Sequence, residues 1–149
     1  MPHDFKKFPE LTDNQMEVYY FESPHKQITE NFIAKCVKVT DGDTIRVETD
    51  FRKFNFPIRF ALINAPEMKE GGKESKKWLE NQILNQEVEV LINKKNRVDK
   101  YGRLIGEIIW GGFNMGEESV RSGNARIFGK EIDGSIPDFN TTLEVANKW

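Results

Sequence analysis

Asp41-Gly42-Asp43-Thr44, Arg59, the run Asn64-Ala65-Pro66-Glu67 and the run Asp99-Lys100-Tyr101-Gly102-Arg103 are the residues of this chain whose types and spacing could do chemistry. A phosphodiester is the substrate they suit. It is already anionic, so it repels an attacking hydroxide, and its charge grows in the five-coordinate transition state. Two guanidiniums, here Arg59 and Arg103, give permanently charged, bidentate contacts to phosphoryl oxygens that lysine cannot reproduce. A divalent cation near Asp43 adds charge neutralisation and orders a water. A carboxylate beside that water, such as Glu67, can position it or accept its proton. Each residue also has a plainer role: Asp41 and Asp43 can cap a turn, Arg59 can pair with Glu67, and Arg103 can be a turn arginine. All four together are hard to explain by structure alone.

The elements that must position them follow from periodicity. Strand-like runs cover 32–40, 43–49, 56–64, 87–93 and 104–110. In the third, Phe56, Ile58, Phe60 and Leu62 alternate as a buried face would, which sends Pro57, Arg59, Ala61 and Ile63 to the other face. An arginine in such apolar company needs an anion. Gly42 stands where the chain must reverse, and Pro66 stiffens the turn from which Glu67 hangs. Over 72–84, Ser75, Trp78, Leu79, Gln82 and Ile83 recur at helical spacing. Three strands, a helix and two more strands predict an α+β fold: a five-stranded OB-fold β-barrel with one helix between strands three and four. In such barrels the loops joining the first two and the last two strands bind ligand, and here these are Asp41 to Asp43 and Lys94 to Arg103. Asn114-Met115-Gly116-Glu117 predicts a capped helix ending at Gly123, and Thr141 to Trp149 a second short C-terminal helix.

A chain of 149 residues, 38% of them hydrophobic, is long enough for one domain with a core. No apolar run approaches membrane-spanning length, and residues 1–7 lack an apolar secretory segment, so a cytoplasmic location, no membrane partner and a monomer are expected. Cys36, the single cysteine, excludes an internal disulfide and a cysteine-based zinc cage, and suits strand packing better than nucleophilic attack. His3 and His25 lie in a polar arm away from the motifs. The net charge of −2 argues against a basic nucleic-acid coat. Within 94–103, however, Lys94, Lys95, Arg97, Lys100 and Arg103 face only Asp99, a local basic loop suited to phosphates.

The ordered set of the Asp41 to Thr44 turn, Arg59, Glu67 and Asp99 to Arg103 resembles the staphylococcal nuclease (thermonuclease) family, over about Phe32 to Arg126. The resemblance implies calcium-dependent hydrolysis of DNA and RNA that leaves 3′-phosphates. It implies Asp43 and the Ala65 carbonyl as Ca2+ ligands and Asp41 as a carboxylate behind them. Arg59 and Arg103 match the phosphate-binding arginines, Glu67 the general base or water-positioning group, and Lys100 and Tyr101 the positions that hold a terminal phosphate. Asn64 stands where the family has a liganding Asp; it keeps an oxygen but loses a charge, so cation affinity should fall or preference shift. Tyrosines that stack bases in the family have no evident match, with Phe128 and Gly129 near one such place; stacking is worth roughly 1–3 kcal/mol per base.

Residues 1–30 have no counterpart in the family and are taken as an arm or extra strand preceding the OB-fold domain of 31–149. Within them, 16–21 looks strand-like, serving either to cover the barrel or to dock a protein partner. Besides a divalent-dependent nuclease, the sequence allows a non-catalytic OB module that binds nucleic acid or protein, because the fold alone does not decide between them.

Overall fold

A computed structural model describes residues 5, 9–12, 15–16, 19, 21, 23–24 and 26–127. The expected helix at 141–149, Phe128, Gly129, His3 and His25 lie outside the described residues. The strands are β1 (Phe32–Asp41), β2 (Thr44–Thr49), β3 (Arg52–Phe60), β4 (Ile63–Asn64), β5 (Glu87–Leu91), β6 (Leu104–Trp110), β7 (Phe113–Asn114) and β8 (Arg126–Ile127). The helices are α1 (Lys73–Ile83), entered through a π-helical turn at Met68–Gly72, and α2 (Met115–Arg121). None of the described helices is long and apolar enough to cross a membrane.

β1, β2, β3, β5 and β6 form a closed five-stranded barrel with two helices, an OB-like fold. The antiparallel order is β3-β2-β1-β5-β6, with β7 appended. A parallel seam between β3 and β6, pairing Ile58 with Leu104, Arg59 with Ile105 and Phe60 with Gly106, closes the cylinder. Register shifts in β1 between Cys36 and Lys38 and between Val39 and Asp41 supply the bending that closure needs. Gly106 lets β5 come close, since a Cβ there would lie 2.7 Å from Val90 Cγ1. Alternate residues fill the interior, among them Cys36, Ile45, Val47, Phe56, Ile58, Val90 and Ile108, each no more than 1% exposed.

α1 contains no Gly or Pro, and its buried residues Ser75, Leu79 and Ile83 recur every fourth position, one stripe of a helix. It stops at Asn85, whose φ of 65° falls where Asn is tolerated. The Asn85 N–H then donates to the Cys36 carbonyl, which fastens the helix end to β1. α2 starts at Asn114, whose side chain accepts from the Glu117 N–H. It ends in a Schellman motif: Gly123 at φ 81° donates to Val120, and Asn124 donates to Ser119.

Two sequence expectations need correction. The third strand does not run from 56 to 64. It begins at Arg52 and stops at Phe60, because Leu62 takes φ 70° and turns the chain out of the sheet; Ile63, expected on the outer face, is fully buried in β4 instead. Of the strand-like run at 16–21, the described residues Met16, Tyr19 and Phe21 are helical rather than extended, as is Gln15 before them. Thr12 and Gln15 form a reciprocal capping box, Thr12 N–H to Gln15 Oε1 at 3.0 Å and Gln15 N–H to Thr12 Oγ1 at 3.3 Å, the contact that starts a helix at this point.

Candidate active site

The β1–β2 turn carries Asp41 and Asp43 to the rim of the barrel. Asp41 Oδ1 accepts from the Asp43 N–H at 3.0 Å, which fixes the turn locally. Gly42 is required by space: a Cβ there would meet Ser75 Oγ at 1.9 Å and Ala65 Cβ at 2.8 Å. The turn therefore lies directly on α1 and on the segment after β4. Ser75 is itself pinned, donating from Oγ to the Asn124 carbonyl at 2.6 Å.

Asp43 is the hub. Its Oδ1 accepts from Thr44 Oγ1 at 3.1 Å, its Oδ2 accepts from the Ala65 N–H at 2.8 Å, and the Arg59 guanidinium stands 3.5 Å away. Arg59 is the arginine that needed an anion, and that anion is Asp43 rather than Glu67. The same guanidinium donates to Asn64 Oδ1 at 2.6 Å and to the Phe60 carbonyl at 2.7 Å. The amide oxygen that a resemblance-based assignment gives to a cation thus also braces Arg59.

Arg103 reaches this cluster through Thr44. Its Nη1 donates to Thr44 Oγ1 at 3.3 Å, so the hydroxyl accepts from Arg103 and donates to Asp43. Pairing of Thr44 with Arg59 across β2–β3, and of Arg59 with Ile105 across the β3–β6 seam, is what brings residues 44, 59 and 103 together. Asp99 aims Arg103, accepting its N–H at 2.9 Å and its Nε–H at 2.7 Å, while also taking the Tyr101 N–H at 2.9 Å. Tyr101 is 59% exposed, with Lys100 Nζ 5.2 Å and the Arg103 guanidinium 5.3 Å from its ring centre. Glu67 is exposed beside this rim segment. Its backbone carbonyl accepts from the N–H groups of Glu70 at 2.8 Å and Gly72 at 2.9 Å, so the turn is fixed while the carboxylate faces solvent.

Charge is unevenly distributed here. Burial, then the neighbouring Asp43 carboxylate, pushes the Asp41 pKa up to about 6. Burial also works against ionisation of Asp43, but hydrogen bonds from Asp41, the Ala65 amide and Thr44, together with Arg59, outweigh it and hold that carboxyl below its usual range. Burial and the facing Arg103 lower the pKa of Arg59, against the pull of Asp43. Two partly buried guanidiniums that repel one another are an arrangement that an added anion would relieve.

Thr44 and Asp99 lie within the sequence motifs but have no role of their own there, and Ser75 is placed only on a helix. For Asp99 the signal is the Asx-type spacing to Tyr101 and Arg103; for Thr44 it is its place directly after Asp43; Ser75 has none, since its contacts come from tertiary packing. Arg97 is removed from the expected phosphate-facing loop: it is 4% exposed and its guanidinium is turned into the protein. Among the described residues, no three His, Cys, Asp or Glu side chains converge as a metal cluster.

Comparison with known proteins adds an independent line. The model of the staphylococcal nuclease homologue family matches residues 57–148. The chain is 29% identical to Endonuclease Htp3 of Saprolegnia parasitica over 153 aligned positions, covering 86% of this chain and 69% of that protein. It is 29% identical to the Thermonuclease of Staphylococcus hyicus over 99 positions, 62% of this chain and 57% of that one. To Endonuclease YncB of Bacillus subtilis it is 30% identical over 105 positions, 62% of this chain and 49% of that one. The chain spans about half to two thirds of the length of these relatives.

Proposed function

Because the chain belongs to the staphylococcal nuclease homologue family, we propose that it hydrolyses phosphodiester bonds of DNA, RNA or both, with a divalent cation, Ca2+ first among candidates, and leaves 3′-phosphates. The observation that carries this is the mutual approach of Arg59 and Arg103 around Thr44, with the Asp41–Asp43 pair beside them.

The donor set fits a hard cation. Asp41 and Asp43 carboxylates crowd one another at a turn, and the Asn64 amide oxygen and Ala65 carbonyl are further oxygen donors. A bound cation would neutralise phosphoryl charge and order the attacking water. The protein's own groups do the rest. Arg59 and Arg103 clamp the phosphoryl oxygens and meet the charge that grows on them in the transition state. Asn64 and Asp99 keep the two forks aimed. Glu67, on its fixed turn, takes the proton of the water. Lys100 and Tyr101, exposed beside Arg103, hold a neighbouring phosphate.

Digestion of single-stranded and plasmid DNA with calcium, magnesium or a chelator tests this. Cleavage should need the ion, and Glu67→Gln should lower it by roughly 10²–10⁴-fold. Cleavage unaffected by chelator would refute the metal-assisted mechanism. No cleavage with any ion would favour a module that binds without cutting.

A further inference from the structure

Glu10, far from the motif in sequence, sits 1% exposed between two arginines: Oε1 is 2.6 Å from Arg52 and Oε2 is 3.3 Å from Arg97. Oε2 also accepts the Ile28 N–H at 3.0 Å. Arg97 spends its guanidinium on the arm, donating to Glu10, to the Ile28 carbonyl and to the Leu11 carbonyl at 2.7 Å. The arm is itself braced by buried Gln27, which accepts from the Leu11 N–H at 2.6 Å and donates to the Pro9 carbonyl at 2.8 Å. A buried ion triad is weak evidence for stability, since an apolar cluster of equal volume does as well; fixing a geometry is the better-attested use.

The geometry it fixes lies at the root of the β5–β6 loop. The backbone carbonyl of Arg97 accepts from the Ile105 N–H at 2.7 Å, Val98 bridges Leu104, and the Asp99 N–H donates to the Arg103 carbonyl at 2.9 Å. Residues 97–105 therefore form a small hairpin, clamped at its base and carrying Lys100, Tyr101 and Arg103 near its tip. Arg97 is held to the arm by its side chain and to β6 by its backbone.

We propose that Glu10 is a positioning residue: through Arg97 it fixes the root of the hairpin that presents Arg103 to the site. Its consequence for turnover rests on the nuclease activity proposed above, whereas its consequence for the hairpin does not. Arg52 is the internal control. It binds the same carboxylate but belongs to β3, with its guanidinium 4.5 Å from the Phe56 ring centre and its further hydrogen bond going to the Lys26 carbonyl at 2.9 Å rather than to the hairpin.

The full chain and its Glu10→Gln, Arg97→Lys and Arg52→Lys variants are compared by amide hydrogen exchange and by steady-state cleavage of single-stranded DNA, with Arg97→Lys standing in should Glu10→Gln fail to fold. In Glu10→Gln and Arg97→Lys, the Asp99, Arg103 and Ile105 amides should exchange about tenfold faster or more, with β1–β2 amides unchanged. Their kcat should fall by about 10–100-fold, with KM within about threefold. Arg52→Lys should lower the thermal midpoint but keep both hairpin exchange and kcat per folded molecule. Unchanged hairpin exchange in Arg97→Lys, or an equal kcat loss in Arg52→Lys, overturns the proposal. If the wild type cleaves nothing, the nuclease activity falls by itself and the exchange rates still decide the positioning role.

Discussion

Asn64 braces Arg59, and on the function proposed above the same amide oxygen would also face a cation. Its amide oxygen lies 2.6 Å from Arg59, close to the Asp43 hub. Replacing it with Asp adds a negative charge where Arg59 and any cation both benefit. Asn64→Asp should therefore shift the calcium dependence of cleavage to lower concentration by about tenfold, because hard-cation affinity follows ligand charge; titrating activity against free calcium checks this, and an unmoved midpoint would remove residue 64 from the cation's surroundings. The main residues of the site stood out in the sequence because their types are chemically unusual for a strand or a turn: a carboxylate pair around Gly42, and Arg59 among apolar neighbours. Thr44 and Asp99 did not, since a threonine starting a strand and an aspartate in a turn look ordinary until their partners 59 and 4 residues away are known. Arg97 misled for the same reason: by composition it belongs with Lys94 and Lys95, and only Glu10, 87 residues away, turns it inward.

At the scale of elements, the barrel strands and α1 were legible from period two and period 3.6, because one face of each is buried. What failed was local. Period two continues through Leu62, and only its left-handed φ breaks β3. In the arm, Thr12 and Gln15 form a capping box that the aromatic run after it obscured. The contact of the β1–β2 turn with α1 leads to a direct test. Gly42→Ala should destabilise the protein by about 1–3 kcal/mol and displace Asp43. Ser75→Ala in the same chain should restore only part of the loss, since Ala65 Cβ and Ser75 Cβ would still lie 2.8 and 2.9 Å from the new methyl group. Thermal melts of the wild type and the two variants decide it; full recovery would mean that the hydroxyl alone sets the approach. In β1, burial pushes the Cys36 thiol up to about 11 from 9.0. The folded state then keeps a proton that the unfolded state loses, so this contribution is whole below about pH 9 and fades as pH rises towards 11. Denaturant midpoints measured across that range should fall more in the wild type than in Cys36→Ala.

The whole molecule carries a net charge of −2, so grip on a polyanion must come from one patch rather than from the general surface. With Arg97 turned inward, the patch that the proposed function would use is Arg59, Lys100 and Arg103. Three phosphate contacts on a single strand give a slope of log K against log salt of about −2. Fluorescence anisotropy with a labelled oligonucleotide and chelator present measures this slope, and one of about −3.5 or steeper would mean that other cations, such as Lys94 and Lys95, also touch the backbone.

The seam between β3 and β6 joins residues 58–60 to 104–106, and nothing nearer in sequence brings Arg59 and Arg103 side by side. A chain with only its first three strands formed holds Arg59 without Arg103, and the pair comes together only when β6 docks on β3. On the function proposed above, cleavage would therefore require that seam to be closed, and no earlier part of the barrel would cut alone.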